Sequence, residues 1–245
     1  MESLGMAFRA LLLTSDSLRH ACFVAECRNV FEIVDVICQK KRNYYSKARQ
    51  ESHVVRDHFA RISEYEGRYF KNYQLSNIIS VDDINDPELA KKYEGKVDVV
   101  LLYGTSILKD CWLDSFNSIV NLHLGLSPMY KGAATLFWPF LDDRLESLGT
   151  TIHLATSSVD AGDIIETITP DWSGAKINYY DSTTALILKS LRIYPHVVLK
   201  YLNKEIVPVP QDGSLNLRIS TKKDFDEGSL VRVLEKYYLA KTDLV

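Results

Sequence analysis

Short runs of apolar and β-branched residues recur along this 245-residue chain, separated by segments with the composition of helices and turns. The clearest runs lie at 7–13, 32–38, 97–103 and 118–123. Near-continuous apolar runs are typical of parallel strands that are buried on both faces. Their alternation with helical segments predicts an α/β fold, a doubly wound, Rossmann-like and mostly parallel sheet with right-handed crossovers. Ligands of such sheets bind beyond the carboxyl ends of the strands, so the residues that follow each strand are the first candidates for a site.

The remaining elements follow from the same patterns. Helices are predicted from residue 18, at 54–69 (an exposed one), at 88–93, at 133–141, at 182–201 with a kink near Pro195, and at 228–239. Strands are predicted at 150–155 and 163–168. The Asp212-Gly213 pair between 205–210 and 215–219 predicts a β-hairpin. We therefore expect a main domain at 6–204 and a C-terminal extension at 205–245, made of that hairpin and the final helix.

Composition excludes several classes of protein. With 46% hydrophobic and 25% charged residues, the chain can bury enough apolar surface to fold. A net charge of -3 and a pI near 6.1 argue against a non-specific nucleic-acid binder. No run approaches the ~20 apolar residues of a membrane span, and Arg9 interrupts the short run that a signal peptide would need. The four cysteines lack CxxC spacing, so we expect no metal site, free thiols and a cytoplasmic location.

Asn121 and His123 end one of the predicted strands. Positions i and i+2 of a strand point to the same side, so both side chains enter one space. The alternative is structural, with Asn121 capping a turn and His123 hydrogen-bonded in the core. Asp160 lies in the sequence Val-Asp-Ala-Gly-Asp, which by itself indicates a turn with glycine at positive φ. The alternating oxygen ligands of an EF-hand are missing there.

Taken together, these residues resemble the folate-dependent formyltransferase family, and they are closest in character to its amino-sugar nucleotide N-formyltransferases. The matching segments are Asn-Leu-His at 121–123, Leu-Ser-Pro-Met-Tyr-Lys-Gly at 126–132, Gly-Thr-Thr-Ile-His at 149–153, and Val-Asp-Ala-Gly-Asp-Ile-Ile at 159–165. They agree with the family in order, spacing and flanking residues over 97–165. Ser127 and Lys131 depart from the family pattern, which affects the turn and leaves the three polar groups intact.

The resemblance implies a reaction and a donor. The main domain would move a formyl group from 10-formyltetrahydrofolate to an amine. Asn121 and His123, preferably as imidazolium, would stabilise the negative charge that develops on oxygen, and Asp160 would keep His123 charged and accept the proton of the amine. The resemblance places the folate against residues Gly104, Ile107, Leu108, Ser157 and Val159. For Ile107 and Leu108 an ordinary core position is the alternative.

Acceptor-binding residues are expected at Ser15, Ser17, Arg19, Tyr130, Lys131 and Trp138. The hydroxyls and Arg19 at a helix start suit a phosphate, although capping explains them about as well. Phe137-Trp138 is similar to the aromatic pair of amino-sugar formyltransferases, while aromatic residues at helical spacing are also ordinary core. The charged stretch 42–68, which includes His53, His58 and Tyr65, is either a solvated helix or a substrate lid.

The function expected from all this is N-formylation of a nucleotide-linked amino sugar, as in surface-polysaccharide synthesis. Initiator-tRNA formylation is disfavoured by the acidic balance and by a tail too short for an extra barrel domain, and glycinamide ribonucleotide formylation by the lack of a glycine-rich loop after the first strand. Open alternatives are an amino acid, a peptide or another small amine as acceptor, and a non-catalytic folate-binding relative. The partners expected are thus a small amine, with no nucleic acid and no membrane, and a second copy of the chain bound through the C-terminal extension.

Overall fold

A seven-stranded sheet forms the centre of the protein in the computed structural model, which describes residues 8–40, 52–172 and 177–239. Its strands are β1 (Arg9–Thr14), β2 (Glu32–Gln39), β3 (Ile79–Val81), β4 (Val99–Leu102), β5 (Ile119–His123), β7 (Thr150–Leu154) and β8 (Ile164–Ile168). They lie in the order β3-β2-β1-β4-β5-β7-β8. The first five run parallel, whereas β7 and β8 are antiparallel to their neighbours. The predicted doubly wound, mostly parallel α/β fold is confirmed.

Helices cover both faces of this sheet. They are α1 (Leu18–Arg28), α2 (His53–Phe70), α3 (Pro87–Tyr93), α4 (Asp110–Leu113), α5 (Trp138–Leu141), α6 (Tyr179–Leu202) and α7 (Glu227–Leu234). Side chains of α1, α2, α5, α6 and α7 form the core on one face, and those of α3 and α4 form the core on the other.

Alternation along the central strands divides the core between the two faces. In β1, Leu12 packs on the α1 and α6 side, while Leu11 and Leu13 pack on the α3 side. All three are fully buried. Burying a leucine is worth about 1.5–3 kcal/mol relative to leaving it exposed. The continuous apolar runs of the sequence are therefore accounted for by burial on both faces.

Polar residues fix the starts of several helices. Ser52 accepts a hydrogen bond from the Val55 amide, Asp86 from Glu88, and Asn178 from Asp181. Ser17 has the extended backbone of a cap, yet its hydroxyl caps nothing in the structure. Helix α6 runs through Pro195 as one segment. The helix predicted at 133–141 is shorter than expected, because 133–137 form turns before α5 begins.

The charged stretch is amphipathic where it is described, and residues 42–51 lie outside the described residues. Helix α2 was expected to be exposed, but Val55, His58, Tyr65 and Phe70 are buried on one side of it. Contact with α6 explains this burial: Tyr65 stacks on Tyr180 with ring centroids 5.6 Å apart. The charged side chains of α2 other than Glu66 are exposed.

The predicted β-hairpin at Asp212-Gly213 is wrong. Asp212 caps a 3₁₀ turn at Gly213–Leu215 instead. The following residues form β9 (Arg218–Ser220), which pairs in parallel with β6 (Tyr130–Gly132) as a separate two-stranded sheet. Upstream, Val209 forms an antiparallel bridge with Ile164. The two arms of the expected hairpin thus pair with distant segments and not with each other.

The final helix was correctly placed, as α7 followed by a π turn at Glu235–Leu239. Its apolar side chains Leu230 and Val233 are buried inside the chain. Residues 205–239 therefore contact the main domain along much of their length, and the division into two units at residue 204 stays a prediction. No helix among the described residues is long and apolar enough to cross a membrane.

Gly132 joins the C-terminal segment to the rest of the fold. Its φ is +91°, and a Cβ there would lie 2.0 Å from the Ser220 carbonyl oxygen. We expect Gly132→Ala to lower the free energy of unfolding by more than about 1 kcal/mol, since the substitution adds both strain and overlap. Urea denaturation checks this.

Gly67→Ala is the matched control, because Gly67 lies inside α2 and a Cβ there meets nothing within 4 Å. The control should raise stability by about 0.5–1 kcal/mol. Equal stability of the two variants would show that the β6–β9 pairing does not depend on glycine.

Candidate active site

The last parallel strand carries the first two candidate residues. Asn121 and His123 lie two positions apart on β5, so both project from one side of the sheet, as the alternation predicts. Strand β7 pairs antiparallel with β5 and places His153 opposite Asn121 and Thr151 opposite His123. The amide Nδ2 of Asn121 lies 3.0 Å from Nε2 of His153. Since Nδ1 of His153 lies 2.8 Å from the Leu154 carbonyl, a proton on Nδ1 leaves Nε2 to accept from Asn121.

Asp160 comes from the loop between β7 and β8. Its own φ is +47°, a left-handed conformation that aspartate tolerates better than most residues. The sequence placed positive φ on a glycine of this turn, and Gly162 is required for a different reason. A Cβ on Gly162 would lie 1.8 Å from the Leu154 carbonyl oxygen, so close backbone contact demands glycine there.

Two further contacts hold this loop. The Gly132 amide donates to Asp160 Oδ2 at 2.9 Å. Gln211 Nε2 donates to the carbonyl oxygens of Asp160 and Gly162, at 2.8 Å and 2.7 Å. The C-terminal segment therefore helps to position the candidate carboxylate.

The structure brings the three predicted catalytic side chains together. Asp160 Oδ2 lies 3.3 Å from Nδ1 of His123, and Asp160 Oδ1 lies 3.7 Å from Nε2 of His153. On its other side, Nε2 of His123 lies 3.0 Å from the Tyr130 carbonyl oxygen. The cluster has a fourth member, His153, to which the sequence gave no role. The motif at 149–153 contains it, but only the strand register shows that it faces Asn121 and Asp160.

Burial dominates the protonation of this cluster. It lowers the pKa of His123, which is 7% exposed, below its ordinary value, while the charge of Asp160 and the Tyr130 carbonyl oppose that shift. Burial would raise the pKa of Asp160, but the neighbouring His153, the charge of His123 and the Gly132 amide outweigh it and lower the pKa overall. Asp160 is therefore ionised at neutral pH, and the charge on His123 depends on it.

The cluster opens into a cavity of about 780 Å³. One part is lined by the loops after β4 and β7, and we call it the loop lobe (104–108, 155–156 and 158–160). The other part we call the aromatic chamber, defined by His58, Phe59, Phe137, Tyr179, Tyr180 and Phe225. His58 and Phe225, from distant parts of the chain, lie 5.6 Å apart between ring centroids. Asn121, His123 and Asp160 line the same cavity, so a molecule in either part can reach them.

Four of the five residues expected to bind folate line this cavity. Gly104, Ile107, Leu108 and Val159 belong to the loop lobe. Ile107 and Val159 are exposed, whereas Leu108 is buried. Ser157 lines a separate groove of about 410 Å³ on the other side of its loop, so its assignment to this cavity was wrong.

Of the residues expected to bind the acceptor, Arg19 alone lines the cavity. Ser15 donates to the Gln39 carbonyl, Tyr130 donates to Asp142, and the Trp138 indole donates to Ala133 and Ser220. The Ser17 hydroxyl is buried away from the cavity, and Lys131 is a buried residue of β6. The structure thus gives these five side chains structural positions, with no access to the cavity. The expected phosphate at Arg19 is disfavoured as well, because Glu66 already pairs with its guanidinium at 3.2 Å.

Helix α2 contributes more to this site than the solvated helix that was one of the two expectations for it. His58, Phe59, Ile62 and Glu66 line the cavity, so the charged stretch supplies a wall, in partial agreement with the lid alternative. Among the described residues, no group of three or more His, Cys, Asp or Glu side chains is placed to hold a metal ion.

The sequence profile of the formyl transferase family matches residues 13–171, which contain six of the seven sheet strands, the end of β1 and the whole polar cluster. The chain belongs to this family. A methionyl-tRNA formyltransferase of Chlorobium chlorochromatii is 31% identical over 148 residues, 56% of this chain and 44% of the relative. One from Chlamydia abortus is 28% identical over 166 residues, 66% of this chain and 49% of the relative. This formyl transferase family member therefore spans less than half the length of those relatives.

Solved structures with the same fold include sugar N-formyltransferases. One from Shewanella superposes with a TM-score of 0.63 at 12% identity, covering 92% of this chain and 88% of that one. The sugar 3-N-formyltransferase WlaRD, solved with dTDP and 5-N-formyltetrahydrofolate, superposes with a TM-score of 0.59 at 18% identity, covering 91% and 72%. At such identities the likeness shows a shared fold.

Asp160→Asn tests the electrostatic coupling in the cluster. The negative charge of Asp160 raises the pKa of His123 against the effect of burial, so its removal should lower that pKa further. The imidazolium form should then appear only at a lower pH than in the wild type. An NMR titration of the His123 imidazole between about pH 4 and 9 measures this.

Asp163→Asn serves as control, because Asp163 is not among the groups that shift the pKa of His123. An unchanged or higher pKa of His123 in Asp160→Asn would contradict the coupling.

Proposed function

We propose that this protein is an N-formyltransferase that moves a formyl group from 10-formyltetrahydrofolate to an amine. One observation carries the proposal: Asn121, His123 and Asp160 meet at the end of a strand and all line one cavity of about 780 Å³. Membership of the formyl transferase family supports the reaction class.

The residues of the cluster suit formyl transfer. The donor supplies a carbonyl carbon bonded to nitrogen, which a neutral amine attacks. The Asn121 amide is a donor for the negative charge that develops on the formyl oxygen, and a protonated His123 beside it would stabilise that charge electrostatically. The Asp160 carboxylate, ionised at neutral pH, can accept the proton that the amine loses, directly or through water. That proton can pass to the folate nitrogen as its bond to the formyl carbon breaks, which releases tetrahydrofolate. His153 orients Asn121 by accepting a hydrogen bond from its amide.

The loop lobe fits the pterin end of a folate. Ile107, Leu108 and Val159 supply apolar surface, and the loop backbone offers peptide groups to a ring with several donors and acceptors. The lobe is open towards Asp160, which brings the formyl end of a bound donor to the cluster. WlaRD, which has the same fold, was solved with 5-N-formyltetrahydrofolate.

The aromatic chamber is the proposed place of the acceptor, and a nucleotide-linked amino sugar is the class we favour. Aromatic side chains offer stacking surface for a base, and Lys222, whose pKa is lowered by burial, lines the same cavity and can face a phosphate. Neighbours with this fold were solved with dTDP-3-aminofucose and with a UDP-linked formamido sugar. Methionyl-tRNA is the second candidate acceptor, because the sequence relatives described above are methionyl-tRNA formyltransferases.

Acceptor assays with the purified protein test the proposal. 10-Formyltetrahydrofolate is supplied with dTDP-3-aminofucose, other dTDP- and UDP-linked amino sugars, methionyl-tRNA or free amino acids. Mass spectrometry should detect a gain of one formyl group on an amino sugar. Formylation of methionyl-tRNA alone would replace the sugar by the second candidate, and formylation of none would reject transfer.

The two active-site variants to test are His123→Ala and Asp160→Ala. Each should lower kcat about a hundredfold or more, which corresponds to ~3 kcal/mol of lost transition-state stabilisation, while folate binding is retained. His196→Ala is the control, because His196 is exposed on α6 and does not line the cavity. If either active-site variant kept near-wild-type turnover, the role assigned to that residue would be wrong.

A homodimer is also proposed, with a different surface from the one expected. The final helix buries its apolar side chains, but Val207 and Ile219 of the C-terminal segment are 79% and 68% exposed. Light scattering should give twice the 27.9 kDa of one chain, and Val207→Asp with Ile219→Asp should give the monomer mass without loss of folding. A monomeric wild type would discard the dimer.

A reducing, cytoplasmic setting is proposed from the thiols. Cys22, Cys27 and Cys111 are free thiols. Burial raises the pKa of Cys22 to about 12, which keeps that thiol protonated and unreactive. Thiols that remain unpaired are usual in reducing compartments.

A further inference from the structure

Three polar side chains that are distant in sequence from the catalytic cluster lie close together in the wall of the cavity. They are Arg19 at the start of α1, Glu66 on α2 and Tyr103 directly after β4, and all three line the cavity. Arg19 pairs with Glu66 at 3.2 Å, with the two side chains 25% and 13% exposed. Both charges act on the Tyr103 hydroxyl, which places the three groups within electrostatic reach of one another.

Two atoms of this group lack the hydrogen bonds that burial normally demands. Within the described ranges, neither the Tyr103 hydroxyl nor Arg19 Nε has a hydrogen-bond partner, and both atoms are buried. Tyr103 is only 2% exposed, with its ring 4.7 Å from His20 and 5.5 Å from Phe23 between centroids. A buried polar atom without a partner costs about 1–3 kcal/mol, so such atoms are rare and normally pair with an ordered water or a ligand.

The charge balance of the group narrows the ligand chemistry. Glu66 neutralises the guanidinium of Arg19, so the group as a whole carries no excess positive charge for a phosphate or a carboxylate. Arg19 Nε offers a donor, Glu66 offers acceptors, and the Tyr103 hydroxyl offers either. Burial raises the pKa of Tyr103 to about 12, which keeps this hydroxyl protonated at neutral pH. A neutral hydroxyl, which both donates and accepts, matches the set.

We propose that Arg19, Glu66 and Tyr103 form a subsite that binds a hydroxyl group of the acceptor's sugar ring, with Tyr103 as the residue that selects for it. This inference rests on the proposed formyl transfer to an amino sugar. It assigns Arg19 to a hydroxyl, where the sequence suggested a phosphate. It also gives helix α2 a role in acceptor choice, through Glu66.

The proposal predicts that the Tyr103 hydroxyl affects acceptor binding and not the stability of the ligand-free protein. A tyrosine hydroxyl with a structural role would affect stability. The Tyr103 hydroxyl makes no hydrogen bond in the described structure, so its removal should not lower the stability of the ligand-free protein. Tyr194 is the matched control. It is equally buried in the same core, but its hydroxyl donates to the Val120 carbonyl at 2.7 Å.

The experiment compares Tyr103→Phe with Tyr194→Phe and the wild type. Thermal unfolding is measured without ligand, and formylation kinetics are measured with the best dTDP- or UDP-linked amino sugar from the acceptor panel. Tyr103→Phe should keep or raise Tm and should raise the KM for the sugar about tenfold or more, with a smaller change in kcat. Its KM for 10-formyltetrahydrofolate should stay at the wild-type value. Tyr194→Phe should lower Tm.

A deoxy acceptor completes the test. An amino sugar that lacks the selected ring hydroxyl should lose affinity for the wild type and little or none for Tyr103→Phe, because the hydrogen bond is already absent there. Glu66→Gln leaves the charge of Arg19 unbalanced and should shift the preference towards acceptors with an added anionic group.

The outcomes distinguish the subsite from the function on which it rests. Absence of formylation of any amino sugar by the wild type rejects the proposed acceptor, independently of the tyrosine variants. Turnover by the wild type with an unchanged KM in Tyr103→Phe overturns the subsite alone. A Tm of Tyr103→Phe that falls as far as that of Tyr194→Phe also overturns it, because the hydroxyl would then have a structural partner.

Discussion

The buried carboxylate of Asp160 is the interaction on which the rest of the site depends. A charge removed from water needs compensation, and here it comes from the His123 imidazole, from His153 and from the Gly132 amide. Each partner arrives from a different part of the fold: β5, β7 and β6. The position of one carboxylate therefore fixes the relative placement of three elements. The C-terminal segment then secures the loop from outside through Gln211.

A change of strand direction makes this arrangement possible. Strands β1 to β5 are parallel, and their carboxyl ends lie along one edge of the sheet. Strand β7 returns antiparallel beside β5, so its pairing sets His153 beside Asn121, and the loop that leaves it carries Asp160 back to the same edge. A β7 strand parallel to β5 would have required a further crossover connection between the two strands.

Sequence reasoning succeeded where the pattern is local. Alternation on β5 correctly predicted that Asn121 and His123 share a side, and the apolar runs correctly predicted the doubly wound sheet. Asp160 was placed with them through the family resemblance, because its own turn motif is ordinary. His153 and Gln211 were missed since their roles depend on strand register and on a contact across 51 residues. The Asp212-Gly213 hairpin failed for the same reason: β9 finds its partner in β6, far back along the chain.

The family match covers the loop lobe of the cavity completely and the aromatic chamber only in part. The family match at 13–171 contains the polar cluster and the loop lobe, so similarity to relatives speaks for the reaction and its donor. Tyr179, Tyr180 and Phe225 of the aromatic chamber lie beyond that match. The walls of the proposed acceptor space thus come partly from chain outside the family match. A methionyl-tRNA formyltransferase and a sugar N-formyltransferase can therefore both resemble this protein, since the family match contains the polar cluster, while under the proposed function the chamber would select the amine.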